Sequence, residues 1–183
     1  MRRRVLLSIV LFALPGCDRG PIQPALALPA VGESVPRFAF PLLRGSGFVS
    51  SDSLTGVPTL LALWSTHCPT SRKAIQVIEA LHSEFAPKGV RVVVLASDRD
   101  TAELERVVRE YRMHAPVAVA GRKLQPLFDR SDTAPERDSV RVEYVEPSYL
   151  VLDRNGRVAW RGFGTGHGAQ AAVLDSLLAE NTE

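Results

Sequence analysis

The sequence has little of what builds covalent or metal frameworks: of 183 residues, only two are cysteine, two methionine and two tryptophan. One cysteine pair excludes a densely stapled mini-domain, and His82, His114 and His167 have no mutual ligand spacing, so nothing suggests a zinc site. No apolar run approaches the roughly 18 residues that a membrane-crossing helix needs. An excess of one charge is also missing, because 22 Lys and Arg face 20 Asp and Glu for a net +2. Three of those positives, Arg2, Arg3 and Arg4, crowd the start, and without them the balance is −1. That leaves no basic face, which argues against nucleic acid as a partner. There is no Gly-x-Ser-x-Gly elbow and no paired-carboxylate motif. Gly162, Gly164, Gly166 and Gly168 alternate without the spacing of a phosphate-binding loop, and suit a chain turning into its last helix. What remains is the composition of one ordinary globular domain, 45% apolar and 23% charged.

The start of the chain reads as an address. Arg2 to Arg4 form a positive segment, Val5 to Leu14 an apolar stretch, and Leu14-Pro15-Gly16-Cys17 a small-residue exit, the pattern of an export signal. That exit resembles a bacterial lipobox, which implies removal of residues 1–16 and a lipid on Cys17 that holds the protein at a membrane. An uncleaved anchor, or an ordinary signal with a chance cysteine, are the alternatives, and both leave the domain outside the cytoplasm. With Cys17 lipidated, Cys68 has no partner within the chain. Residues 17–32 carry Pro21, Pro24 and Pro29 without apolar periodicity, so a stiff tether is expected there and a folded domain over 33–181.

Within that domain the residues predict an alternation of elements. Val35 to Leu43, broken by Pro36 and Pro41, suggests an edge hairpin closed by Arg44-Gly45-Ser46-Gly47. Thr59 to Trp64 is a continuous apolar run typical of a strand buried on both faces. From Pro69 the period becomes helical, through Ala74, Val77, Ile78, Leu81 and Phe85, until Pro87-Lys88-Gly89 stops it. Val90 to Ala96 is a second buried strand. Asp98 to Thr101 supplies capping residues for a helix marked by Leu104, Val107, Val108 and Tyr111. A weak strand over 116–120, a helical turn over 125–130 and an exposed loop over 131–139 follow. Ser148 to Leu152 and Arg157 to Arg161 flank Asp153-Arg154-Asn155-Gly156 as a hairpin, and Ala171 to Leu178 forms a final helix. The series βαβα requires a sheet that begins parallel.

Three segments carry a family resemblance. VGESVPRFAF, VPTLLALWSTHCPTSR and EPSYLVLDRNGRVAWRGFG resemble the opening, active-site and proline-loop segments of membrane-tethered thioredoxin-like proteins of TlpA/ResA type, within the redoxin and AhpC/TSA grouping. The resemblance covers Val31 to Leu178. It implies an α/β thioredoxin-like fold, a mixed central sheet flanked by helices, with an N-terminal hairpin extension. It further implies that Cys68 is the reactive thiol, that Pro147 follows a cis bond, and that Pro147, Glu146, Trp64 and Pro69 border the substrate. No cofactor is implied. The chain departs from the family pattern W-x-x-W-C-x-x-C at two places, with His67 for an aromatic and Ser71 for the second cysteine. Ala62 stands where the family often has a polar residue.

A thiol at a helix N-terminus meets unpaired N–H groups and the positive end of the dipole, which favours the thiolate. Ser71 either donates a further hydrogen bond to that thiolate or is only a helix-start residue. Protonated His67 either supports it electrostatically or points away. Because Ser71 cannot attack a mixed disulfide, one reading is a monothiol oxidoreductase whose partners are a protein or small-molecule disulfide or thiol, such as glutathione, with an outside thiol as resolver. Another is a one-cysteine peroxidase acting on peroxide. It has Ser65 three places before the cysteine but Leu61 in place of a proline, and only Arg122 and Arg141 as candidates for the activating arginine. A third is a binding module that keeps the groove beside Pro147 and has lost redox cycling.

Overall fold

The computed structural model describes residues 28–128 and 146–180. The export signal, Cys17 and the polar stretch 131–139 lie outside these residues.

Among the described residues, seven strands and four α-helices alternate. Strands β1 (Ala39–Pro41) and β2 (Phe48–Ser50) pair antiparallel as the expected N-terminal hairpin. Main-sheet strands are β3 (Thr59–Trp64), β4 (Arg91–Ala96), β5 (Val117–Val119), β6 (Ser148–Leu152) and β7 (Val158–Phe163), in the order β5-β4-β3-β6-β7. β3, β4 and β5 run parallel, while β6 and β7 run antiparallel to their neighbours. Helices α1 (Pro69–Phe85) and α2 (Thr101–Glu110) make the crossovers, a five-residue α3 (Leu124–Phe128) follows β5, and α4 (Gly168–Ala179) closes the fold. The expected mixed α/β sheet of a thioredoxin-like fold is therefore present.

Each element has a local cause. All six residues of β3 are buried because its two faces feed two separate cores. Leu60, Ala62 and Trp64 point into a core with Ile75, Ile78, Leu81 and Phe85 of α1. Leu61 and Leu63 point the other way, against Phe38, Phe40 and Phe128. Helix α1 buries Ile75, which the reading by spacing passed over, whereas Val77 sits at the edge of the stripe. It ends where Pro87 removes a donor and Gly89 takes the left-handed conformation at φ +89°. Asp100 caps α2, its carboxylate accepting from the N–H groups of Ala102 and Glu103 at 2.9 and 3.1 Å. In the β6–β7 turn the Asp153 carboxylate accepts from Asn155 and Arg157 N–H, at 2.8 and 2.9 Å.

Two expectations need correction. Of the presumed cap residues 98–101, Asp98 turns inward and is buried. The stretch assigned to the tether is packed where it is described: Leu28 is buried, the Arg161 guanidinium donates to its carbonyl, and Gly32 N–H bonds Val158 carbonyl at 2.8 Å. Apolar burial of Leu28 and two partners on β7, the Arg161 guanidinium and the Val158 carbonyl, outweigh the proline-rich composition, so the folded body starts before residue 33.

Leu61 is fully buried between the sheet and the hairpin. Leu61→Ala should lower stability by about 2–5 kcal/mol in urea unfolding, and an unchanged midpoint would contradict this packing.

Candidate functional site

The register of the sheet decides which residues meet. Trp64 at the end of β3 pairs with Ala96 at the end of β4, which pairs with Val119 at the end of β5. β6 runs the other way, so its first residue Ser148 lies opposite Leu63. The segments leaving β3, β4 and β5, and the segment entering β6, consequently gather at one edge, outside the carboxyl ends of the parallel strands. That is where open α/β sheets place ligands.

Cys68 is the N-cap residue of α1 and Pro69 is its first residue, exposed and lacking the N–H that would have no partner there. The Cys68 thiol is half-buried and donates to the Glu146 carbonyl at 3.2 Å. The Glu146–Pro147 bond is cis, and the Pro147 carbonyl accepts from Gly164 N–H at 3.0 Å, which ties this loop to the end of β7.

Opposing effects act on the sulfur. Partial burial pushes the Cys68 thiol up, but the Ser71 backbone N–H, the Ser71 hydroxyl and the backbone and side chain of Thr70 more than offset it, leaving the thiol below its ordinary value. The backbone contribution is the firmer one. Ser71 Oγ is buried and makes no hydrogen bond among the described residues. The Glu146 carbonyl favours the neutral thiol and works against the helix terminus.

The loop before Cys68 is held by a residue that spacing alone misassigned. Asp98, 2% exposed, accepts from Thr66 N–H at 3.1 and 3.0 Å through its two oxygens, and from the Thr66 hydroxyl through a short bond. The Thr66 carbonyl accepts from Arg72 Nε at 2.7 Å, and Arg72 lies 3.6 Å from the Glu103 carboxylate of α2. His67 Nε2 is 3.6 Å from Asp98 on a largely exposed side chain, so the contact observed for His67 is with Asp98 rather than the sulfur. Trp64 also departs from expectation. It is fully buried and its Nε1 donates to the Ser71 carbonyl at 2.6 Å, so it anchors the first turn of α1 and offers no surface to a substrate.

Beside the sulfur opens a cleft of about 470 Å³ lined by Cys68, Ser97, Arg99, Gly121, Arg122, Gln125 and Glu146. Arg122, suggested earlier only as a peroxidase candidate, reaches it, whereas Arg141 lies outside the described residues. Sequence reading missed Thr66, Asp98, Arg72 and Arg99. A polar pair directly after two buried strands was the available signal for Thr66 and Asp98.

Comparisons with known proteins bear on the family and the fold. The family described as Redoxin matches residues 30–178. The thiol-disulfide oxidoreductase ResA of Bacillus thuringiensis (strain Al Hakam) is 27% identical, over 70% of this chain and 66% of its own. The thiol:disulfide interchange protein DsbE of Escherichia coli (strain K12) is 28% identical, over 90% and 87%. Among solved structures, a thioredoxin family thiol:disulfide interchange protein from Chlorobium tepidum TLS superposes with a TM-score of 0.63 at 20% identity, covering 81% of this chain and 98% of that one.

Removing the Asp98 carboxylate strands the buried Thr66 donors. Asp98→Ala should cost about 2–3 kcal/mol in urea unfolding and slow alkylation of Cys68, while Asp98→Asn retains part of both. Equal stability and labelling in the Ala variant would show that the loop is held by something else.

Proposed function

Because the chain belongs to the redoxin family, we propose that it is a thiol–disulfide oxidoreductase that works through the single thiol of Cys68, with the resolving thiol supplied from outside. The observation that carries this reading is a half-buried sulfur, its pKa lowered by the α1 terminus, in front of the Glu146–Pro147 loop with serine at the resolving position. The thiol loses its proton to solvent, and the thiolate attacks one sulfur of a disulfide in line with the S–S bond. The other sulfur leaves as a thiolate, and the mixed disulfide stays on Cys68. Glu146 lines the cleft beside the sulfur, where a substrate would bind, while Pro147 is buried behind it with its carbonyl bonded to Gly164 N–H. Ser71 has no thiol to attack from within, so the adduct waits for a second thiol.

A lowered thiol pKa favours this reading over a binding module without chemistry, since an inert groove has no use for a stabilised thiolate. The peroxidase reading gains Arg122 at the cleft. It loses the proline of its motif, because that position is Leu61, buried in β3. The segment Arg2 to Cys17 supports export and attachment of lipid at Cys17, which would hold the domain at the outer side of a membrane. Loss of the protein from the membrane fraction on Cys17→Ser is the expected sign of that anchor.

Without added thiol, the protein should accumulate a mixed disulfide on Cys68, assigned by peptide mass, and turn over only when thiol is supplied. Ser71→Cys should clear the adduct by itself through an internal disulfide. Sustained turnover of the unaltered chain in the absence of thiol would refute the monothiol step.

A further inference from the structure

The cleft beside Cys68 has a charge pattern that disulfide exchange alone does not require. Arg99 leaves the end of β4 and Arg122 follows the end of β5, and both line the cleft that also contains the sulfur. Among the described residues, neither guanidinium has a hydrogen bond or an ion pair, a state shared by Arg37, Arg44, Arg112 and Arg154 but not by Arg72, Arg106 and Arg109, each paired with a carboxylate, nor by Arg157 and Arg161, each of which donates to a backbone carbonyl. The cleft sets the Arg99 and Arg122 guanidinium groups against one carboxylate residue among the described residues, Glu146. Gln125, Ser97 and Gly121 also line it. A guanidinium presents a planar fork of donors that matches a carboxylate, and two of them in one concavity favour a ligand with more than one such group. The volume, about 470 Å³, is in the range of clefts that hold small molecules.

We propose that this cleft selects a small disulfide bearing free carboxylates as the substrate of Cys68, with Arg99 and Arg122 as the residues that recognise the anionic groups. The inference rests on Cys68 acting in thiol–disulfide exchange and adds the substrate class. A thiolate repels an approaching anion, and the two arginines offset that repulsion at the place where the bond must form. The Cys68 thiolate forms an S–S bond with one half of the substrate and the other half leaves as a thiolate. The half retained on Cys68 lies in the cleft. A second carboxylated thiol, as its thiolate, then attacks the outer sulfur, forming a new small disulfide and returning Cys68 as thiolate. Each step exchanges one S–S bond for another, so no further oxidant or reductant enters. The same cleft thus accommodates both the bound half and the incoming resolver that Ser71 cannot replace.

The test is the rate at which the full chain forms a mixed disulfide on Cys68, followed by peptide mass, with three probes of similar chemistry and different charge. Oxidised glutathione carries carboxylates, bis(2-hydroxyethyl) disulfide is neutral, and cystamine is cationic. The expected order is oxidised glutathione, then the neutral probe, then cystamine, with a preference for the first over the last of about tenfold or more at low ionic strength. That preference should shrink as salt is raised. Arg99→Gln combined with Arg122→Gln should reduce the ratio of the anionic to the cationic rate by about tenfold. Equal rates with all three probes, or a ratio unchanged in the double variant, would overturn the proposal while leaving exchange chemistry intact. A sulfur inert toward all three would remove the exchange reading itself, and this proposal with it.

Discussion

The bond between the buried Asp98 carboxylate and Thr66 ties the loop after β3 to the loop after β4, and the position of the reactive sulfur depends on it. Thr66 lies two residues before Cys68 and gives Asp98 both its backbone and its side-chain proton. With 2% of Asp98 exposed, water cannot replace either bond. A buried carboxylate without partners would be costly, and its donors would be costly without it, so the two hold each other in one arrangement. Arg72 and Trp64 extend the same restraint into α1 by binding the carbonyls of Thr66 and Ser71. The sulfur is fixed at the helix terminus from the strand side and from the helix side.

That placement sets a balance of opposing local effects. The first turn of α1 stabilises negative charge on Cys68, while partial burial and the Glu146 carbonyl favour the neutral thiol. The first effect wins, leaving the Cys68 thiol below its ordinary value. The serine at position 71 keeps the polar character of the first helical turn while removing the second sulfur. In the proposed chemistry, capture of a substrate and its release thereby become separate events that need separate partners.

Much of the fold was legible because its strands and helices differ in hydrophobic period. The run from Thr59 to Trp64 and the stripe ending at Phe85 leave little freedom, since each has one way to bury its apolar side chains. The β6–β7 turn was equally plain in Asp153-Arg154-Asn155-Gly156. The site was only half legible. Cys68, Ser71 and Pro147 announce themselves through local motifs. Arg99, Arg122 and Asp98 reach the same edge only through strand register, and register is a property of pairing that no single segment contains. Asp98 looked like a capping residue because its neighbour Asp100 is one. Trp64 looked like part of a binding surface because the family resemblance implied it. The alternation of β3 sends it into the core. Leu28 was hidden among prolines, and only the partners offered by β7 account for its burial.

The proposed exchange chemistry depends on the charge state of one sulfur. The most direct test is the ultraviolet absorbance of the thiolate as a function of pH, taken as the difference between the protein and its Cys68→Ser variant. A midpoint clearly below the ordinary thiol value of about 8.5 is predicted from the helix terminus and its N–H donors. A midpoint at or above that value would mean that burial and the Glu146 carbonyl dominate, and that Cys68 is not the nucleophile described here.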